Sequence, residues 1–150
     1  MQEKRNLQSI KLTMPKKVFV SYDHSEDGRY KELLTAWDAN TNFDFEFDQR
    51  SPDTPVDGTE AGVAQVALTE KMKESEYILV IIGKDSHANK WMNWEIQKAK
   101  QDGIKLKFAA VKIDRNNVNP DSLPIPATSF AYSFTMEGVI NALKQARNRY

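Results

Sequence analysis

The segment "YILVII" at residues 77–82 is the longest apolar run in the chain, and Gly83 follows it directly. It is far shorter than the roughly 20 residues that a membrane-spanning helix needs. A short run that is apolar at every position is typical of a central parallel strand, because helices cover both of its faces. The sequence therefore predicts an α/β domain built around this strand.

Hydrophobic spacing on either side of this strand predicts an alternation of strands and helices. In "FDFEFD" (43–48), phenylalanines alternate with acidic residues, which indicates an edge strand with one solvent-exposed face. The remaining strands are predicted at "KVFVSY" (17–22), "KLKFAAVKID" (105–114) and "TSFAYSF" (128–134). The helices are predicted at 27–40, 59–75, 91–103 (ending at Gly103) and 135–150.

This alternation predicts one doubly wound domain over residues 16–150, with five parallel strands in the flavodoxin-like order 2-1-3-4-5 and helices on both faces. Residues 1–15 form a polar leader without an apolar segment, so we expect them to contribute little to the fold. In such a sheet the ligand crevice lies beyond the carboxyl ends of the strands, where the strand order reverses. Here the loops at 21–28 and 83–90 would form its walls.

Composition narrows the classes of function. The 150 residues carry 21 basic and 21 acidic side chains, so no excess of positive charge predicts binding to nucleic acid or to a membrane. The absence of cysteine excludes disulfides, thiol catalysis and thiolate metal sites. His24 and His87 are too few to predict a metal site. We expect the protein to be cytoplasmic, since the first residues do not resemble a secretory signal.

The segment "NKWMNWEIQKAK" (89–100) combines two of the three tryptophans with a glutamate. Trp91 and Glu95 are four residues apart and share one face of a helix, whereas Trp94 is turned by about 100° from Glu95. In one interpretation both tryptophans belong to the core and Glu95 is a solvated acid in the first helical turn. In the other, Glu95 lies in the crevice and an indole shapes its pocket. Spacing alone leaves both interpretations open.

A single carboxylate in the crevice would suit cleavage of an N-glycosidic bond whose leaving group is already cationic. Nicotinamide leaves NAD as a neutral ring, so the reaction needs no general acid. The ribose acquires oxocarbenium character, and one carboxylate can stabilise that charge while it holds the ribose hydroxyls. The scarcity of histidine and cysteine in the chain is compatible with this chemistry.

The loop at 21–28 supports two compatible interpretations. Ser25 or Asp27 could cap the first helix, and the hydroxyl and amide groups of the loop could also hold phosphate and ribose. His24 is interpreted as a loop histidine and not as a catalytic base. The chain has no Walker loop and no dinucleotide-binding glycine motif, so neither a nucleoside triphosphatase nor a Rossmann dehydrogenase is supported.

The segments "KVFVSYDHSED", "FDFEFD" and "ESEYILVIIG…WMNWEIQKA" resemble TIR domains, and more narrowly the stand-alone bacterial TIR-like proteins of the ThsB type from Thoeris anti-phage systems. The resemblance spans roughly residues 16–149. Its most specific element is Trp-x-x-x-Glu at Trp91 and Glu95, where NAD-cleaving TIR enzymes carry their catalytic glutamate. The segment "RSPDTPVDG" matches the second TIR motif only loosely, and "SFAYSF" replaces the aromatic motif near the C-terminus.

The resemblance implies that the protein cleaves the nicotinamide–ribose bond of NAD, with Glu95 as the catalytic residue and NAD as substrate. No cofactor is expected. The product would be an ADP-ribose-derived signalling nucleotide, linear or cyclic, which activates a separate effector protein, and homo-oligomers are compatible with this activity. The predicted substrate-binding residues are Ser21, Tyr22, Asp23, Asp48, Ser86 and Trp91.

Three alternatives belong to other classes of protein. A non-enzymatic TIR-like interaction module would share the fold without the chemistry. A nucleoside deoxyribosyltransferase-like enzyme would share both the sheet and a catalytic glutamate. A phosphorylated receiver domain would share the strand order, but it needs an aspartate at the end of the third strand and a lysine at the end of the fifth. The segments "YILVIIG" and "TSFAYSF" do not supply them.

Overall fold

The computed structural model describes residues 16–38, 44–48 and 60–150. Within them, five parallel strands form one sheet in the order β2-β1-β3-β4-β5, which confirms the predicted topology. The predicted leader, residues 1–15, lies outside the described residues, so its role stays a prediction. The strands are β1 (Lys16–Ser21), β2 (Phe45–Asp48), β3 (Tyr77–Ile82), β4 (Lys107–Lys112) and β5 (Ser129–Ala131).

Helices cover both faces of this sheet, as predicted. Leu34 and Leu143 of the first and last helices pack in the core on one face, and Met72 and Ile96 of the other two pack in the core on the opposite face. None of the helices in the described ranges has the length and hydropathy needed to span a bilayer. The helices are α1 (Gly28–Asp38), α2 (Ala61–Lys73), α3 (Lys90–Ala99) and α4 (Met136–Gln145).

The strand β3 occupies the centre of the sheet, between β1 and β4, and all six of its side chains are buried. The edge strand β2 buries Phe45 and Phe47 and exposes Glu46, which confirms its predicted solvent-exposed face. In the parallel register, Ser21 at the end of β1 lies beside Val80 of β3. The strand order reverses between these two strands, so their carboxyl ends form the predicted crevice.

The helix α3 is shorter than predicted, because it ends at Ala99 and not at Gly103. The amide of Leu106 donates to the carbonyl of Ala99 at 3.0 Å, and this bond replaces the one that a continuing helix would make. Leu106 is buried in the core, whereas Gly103 lies in the turn with a φ of 88°, which favours glycine. Burial of the leucine therefore turns the chain into β4 before the helix reaches the glycine.

The last helix is also shorter than the predicted 135–150, because α4 ends at Gln145. The amide of Phe108 in β4 donates to the carbonyl of Arg147 at 3.0 Å, as part of an isolated antiparallel bridge. The chain therefore leaves the helix and extends beside the amino end of β4.

Candidate active site

The loop between β3 and α3 determines where the glutamate of the Trp-x-x-x-Glu motif lies. A short 3-10 helix at Ser86–Ala88 precedes Asn89, whose side chain accepts a hydrogen bond from the amide of Met92 at 2.9 Å. Asparagine is a preferred N-cap, because its side-chain oxygen satisfies an amide that has no partner within the helix. The helix α3 therefore begins at Lys90, and Glu95 lies in its second turn.

Glu95 lies on the buried face of α3. It shares that face with Met92, Ile96 and Ala99, which follow the spacing of an amphipathic helix and are all buried. The side chain of Glu95 is only 3% exposed. The interpretation of Glu95 as a solvated acid in the first helical turn is therefore wrong. A carboxyl group on a buried face costs free energy unless it has a hydrogen-bonding partner.

Ser21 is that partner. Its hydroxyl, at the carboxyl end of β1, donates to Oε1 of Glu95 at 2.7 Å, and both side chains are buried. Burial raises the pKa of Glu95 from 4.5 to about 8, and the hydrogen bond from Ser21 opposes this rise. At neutral pH the buried acid of the free protein is therefore mainly protonated. The hydrogen bond joins residues 74 positions apart in the chain and connects β1 to α3.

Trp91 and Trp94 are half-buried and pack against the core on the α2–α3 face of the sheet. Their rings meet edge to face, with centroids 5.5 Å apart and an interplanar angle of 84°. Trp91 lies one helical turn before Glu95 on the same face. The tryptophans therefore contribute to packing, and Trp91 also provides an apolar surface next to Glu95.

Tyr22 and Asp23 continue from Ser21 into the loop before α1. Tyr22 packs in the core on the α1–α4 face. Oδ1 of Asp23 accepts hydrogen bonds from the amide of Ser25 at 3.1 Å, the hydroxyl of Ser25 at 2.9 Å and the amide of Glu26 at 3.3 Å. This oxygen therefore closes the turn that forms one wall of the crevice.

Ser86 forms hydrogen bonds at the end of β3, and Asp48 forms an ion pair with α2. The hydroxyl of Ser86 is fully buried, accepts a hydrogen bond from the amide of Gly83 at 2.8 Å and donates to the carbonyl of Ile81 at 3.2 Å. Oδ2 of Asp48 lies 3.6 Å from Nζ of Lys71 on α2. Ser86 thus stabilises the second wall of the crevice, and Asp48 forms an ion pair at the edge of the sheet.

Comparison with known sequences identifies the family of this chain. Residues 19–117 match the family model described as "Thoeris protein ThsB, TIR-like domain". The chain belongs to this family. The matched region of the TIR-like domain contains Ser21, Trp91 and Glu95, and the match confirms the family that the motifs predicted.

Comparison with solved structures finds a similarity to a chain of the structure titled "Structure of the activated Roq1 resistosome directly recognizing the pathogen effector XopQ (TIR domains)". The two chains are 17% identical, the TM-score is 0.45, and the similarity covers 65% of the present chain and 57% of that chain. The present chain thus matches little more than half of that relative. No protein with a curated description matches the sequence.

Asp27, which the sequence analysis names as a possible cap of the first helix, lies against Gly83 in the TIR-like domain, and the sequence did not predict this contact. A Cβ atom on Gly83 would lie 2.3 Å from Oδ2 and 2.6 Å from Oδ1 of Asp27. Gly83 must therefore lack a side chain for Asp27 to occupy its position. The signal that could have revealed this contact is a glycine directly after a fully apolar strand, which indicates close approach by another group.

Replacing this glycine, Gly83→Ala, is expected to destabilise the TIR-like domain by about 1–3 kcal/mol, because the new methyl group overlaps the carboxyl group of Asp27. Urea unfolding measures the change. Gly62→Ala is the matched control, since no atom of the described residues lies within 4 Å of its added methyl group and alanine favours the helix. Combining Gly83→Ala with Asp27→Ala should recover most of the loss. Equal stability of Gly83→Ala and the wild type would contradict the contact.

Proposed function

We propose that this TIR-like domain cleaves NAD at the nicotinamide–ribose bond, with Glu95 as the catalytic carboxylate. The observation that carries the proposal is a buried glutamate, held at 2.7 Å by Ser21, at the point where the strand order reverses. A buried acid with a strongly shifted pKa in a crevice is typical of a catalytic group. The pKa of about 8 supports this assignment for Glu95.

Glu95 acts in its ionised form on the ribose of NAD. The bond between ribose C1′ and the nicotinamide nitrogen breaks, and its electron pair returns to the ring, which leaves neutral. C1′ then carries oxocarbenium character, which the carboxylate stabilises in a site of low dielectric. Water attacks C1′ and loses a proton to give ADP-ribose, or a nucleophile within the same molecule attacks and gives a cyclic product.

The raised pKa of Glu95 suits a cationic substrate. In the free domain, burial keeps this acid mainly protonated at neutral pH. The nicotinamide ring of NAD is positively charged, and a nearby cation lowers the pKa of a carboxyl group. Binding of NAD therefore lowers the pKa of Glu95, and the proton of this acid passes to solvent. Glu95 is then present as the carboxylate that the reaction needs. Trp91, one helical turn earlier, supplies an apolar wall for the ligand.

We infer that the ADP-ribose portion serves as a signalling nucleotide that activates a separate effector protein in anti-phage defence. The family description, which names the Thoeris protein ThsB, supports the role in defence. A small diffusible product would let the enzyme and the effector act without direct contact. Self-association of the TIR-like domain is compatible with this role.

The test is incubation of the purified protein with NAD, with and without lysate of phage-infected cells, followed by mass spectrometry. We expect release of nicotinamide together with ADP-ribose or with a cyclic isomer that is lighter by one water. Exchange of bases between deoxynucleosides, without consumption of NAD, would instead identify a deoxyribosyltransferase-like enzyme. Turnover of neither substrate would favour the interaction module.

Ser21 is proposed as a positioning residue for Glu95. Ser21→Ala removes the hydrogen bond that lowers the pKa of Glu95, so its kcat/KM profile should move to higher pH. At pH 7 we expect a loss of about fivefold in kcat/KM, because one buried hydrogen bond contributes about 1 kcal/mol. Ser75→Ala, which removes a hydroxyl bonded to the carbonyl of Lys71, is the matched control. An unchanged pH profile in Ser21→Ala would contradict this role.

A further inference from the structure

Asp27 and Glu95 flank the crevice from opposite faces of the sheet. Gly83 follows β3, and by strand alternation a side chain there would point to the α1–α4 face, like that of Ile81. Asp27, the residue before α1, occupies this space. Glu95 belongs to α3 on the other face. The two carboxyl groups therefore lie on either side of the carboxyl ends of β1 and β3.

The carboxyl group of Asp27 is not explained by the stability of the fold. The residue is 7% exposed, and within the described ranges Oδ2 is buried without a hydrogen-bond partner, which costs free energy of folding. Burial, followed by repulsion from Asp23, Glu26 and Asp85, raises the pKa of Asp27 to about 6, and Arg29 opposes the rise. A neutral side chain of the same shape would avoid these costs.

We propose that Asp27 is a substrate-binding residue whose Oδ2 accepts a hydrogen bond from a hydroxyl group of the nicotinamide-bearing ribose. This inference rests on the proposed function. The ribose then lies between Asp27 on the α1–α4 side and Glu95 on the α3 side. Binding satisfies this buried acceptor, for which the described residues of the free protein provide no partner.

The charges around Asp27 favour binding of the nicotinamide riboside half of NAD. The carboxyl groups of Asp23, Glu26 and Asp85 repel the pyrophosphate and attract the cationic nicotinamide ring. In the part of the chain that the structure describes, no three acidic or histidine side chains are arranged to hold a metal ion. A hydroxyl group is therefore the donor that fits the unpaired oxygen, and the nicotinamide riboside half is the part of NAD that fits this wall.

The test compares the KM of NAD with the inhibition constant of ADP, which lacks the nicotinamide-bearing ribose. In Asp27→Asn we expect the KM of NAD to rise about tenfold, because a neutral amide oxygen replaces the charged acceptor of this hydrogen bond, with little change in kcat or in ADP affinity. NAD without that ribose hydroxyl should lose at least the same factor with the wild type, a smaller factor with Asp27→Asn and no further factor with Asp27→Ser. Asp102→Asn, the same change at an exposed position, should behave as wild type.

Thermal unfolding is measured in parallel, and Asp27→Ser is a second variant that adds no bulk beside Gly83. If the wild type cleaves NAD and both variants keep its KM, the assignment of Asp27 is overturned. It is also overturned if the KM of NAD and the inhibition constant of ADP rise together, since Asp27 would then act only through packing. Failure of the wild type itself to cleave NAD would overturn the proposed function, and this inference with it.

Discussion

Glu95→Gln is expected to lower the turnover of NAD by at least about a hundredfold, on the order of 3 kcal/mol of transition-state stabilisation. Glutamine keeps the shape of the side chain and can accept the hydrogen bond from Ser21, but it offers no negative charge to the oxocarbenium-like ribose. Release of nicotinamide at saturating NAD measures the effect. Glu137→Gln, the same change at an exposed position of α4, is the matched control and should keep full activity.

The same substitution should leave the domain folded and remove a pH dependence of its stability. The pKa of Glu95 rises from 4.5 to about 8 on folding, so between these values the folded state holds a proton that the unfolded state has released. The free energy of unfolding of the wild type therefore falls as pH rises from about 4.5 to about 8, and Glu95→Gln lacks this loss. Asp27 and Asp38 also have a raised pKa of about 6, but their contribution to the pH dependence of stability is the same in the wild type and in Glu95→Gln. Full activity of folded Glu95→Gln would remove Glu95 from the mechanism.

The kcat/KM for NAD is expected to rise about fiftyfold between pH 6 and pH 8, because this constant reports the ionisation of the free enzyme. Burial places the pKa of Glu95 at about 8, so the active carboxylate is scarce at pH 6 and makes up about half of the protein at pH 8. Initial rates at low NAD concentration, in buffers of constant ionic strength, measure the profile.

Glu95→Gln is the control for this profile, because its residual activity should not follow the ionisation of a carboxyl group at position 95. A wild-type profile that is flat between pH 6 and pH 8 would contradict the proposed requirement for an ionised Glu95. A midpoint near 4.5 would show that the acid titrates as if it were solvated.

The burial of Glu95 could be predicted from the sequence, although its spacing from Trp91 and Trp94 alone did not decide between a buried and a solvated position. Met92, Ile96 and Ala99 define a buried stripe at helical spacing, and Glu95 falls within it. The helix boundaries were less predictable. α3 ends at Ala99 because the chain folds back to bury Leu106, and this depends on the core against which the leucine packs.

The sequence by itself determined the order of the sheet and the placement of the Trp-x-x-x-Glu motif beside the crevice. The apolar strand β3 must be covered on both faces, and alternating strands and helices allow few topologies that cover it. Only the tertiary structure decided the partners within the crevice, the hydrogen bond from Ser21 to Glu95 and the contact of Asp27 with Gly83. These pairs join residues far apart in the chain, so no local spacing encodes them. They form because parallel strands bring their carboxyl ends to one edge of the sheet, where side chains from both faces meet.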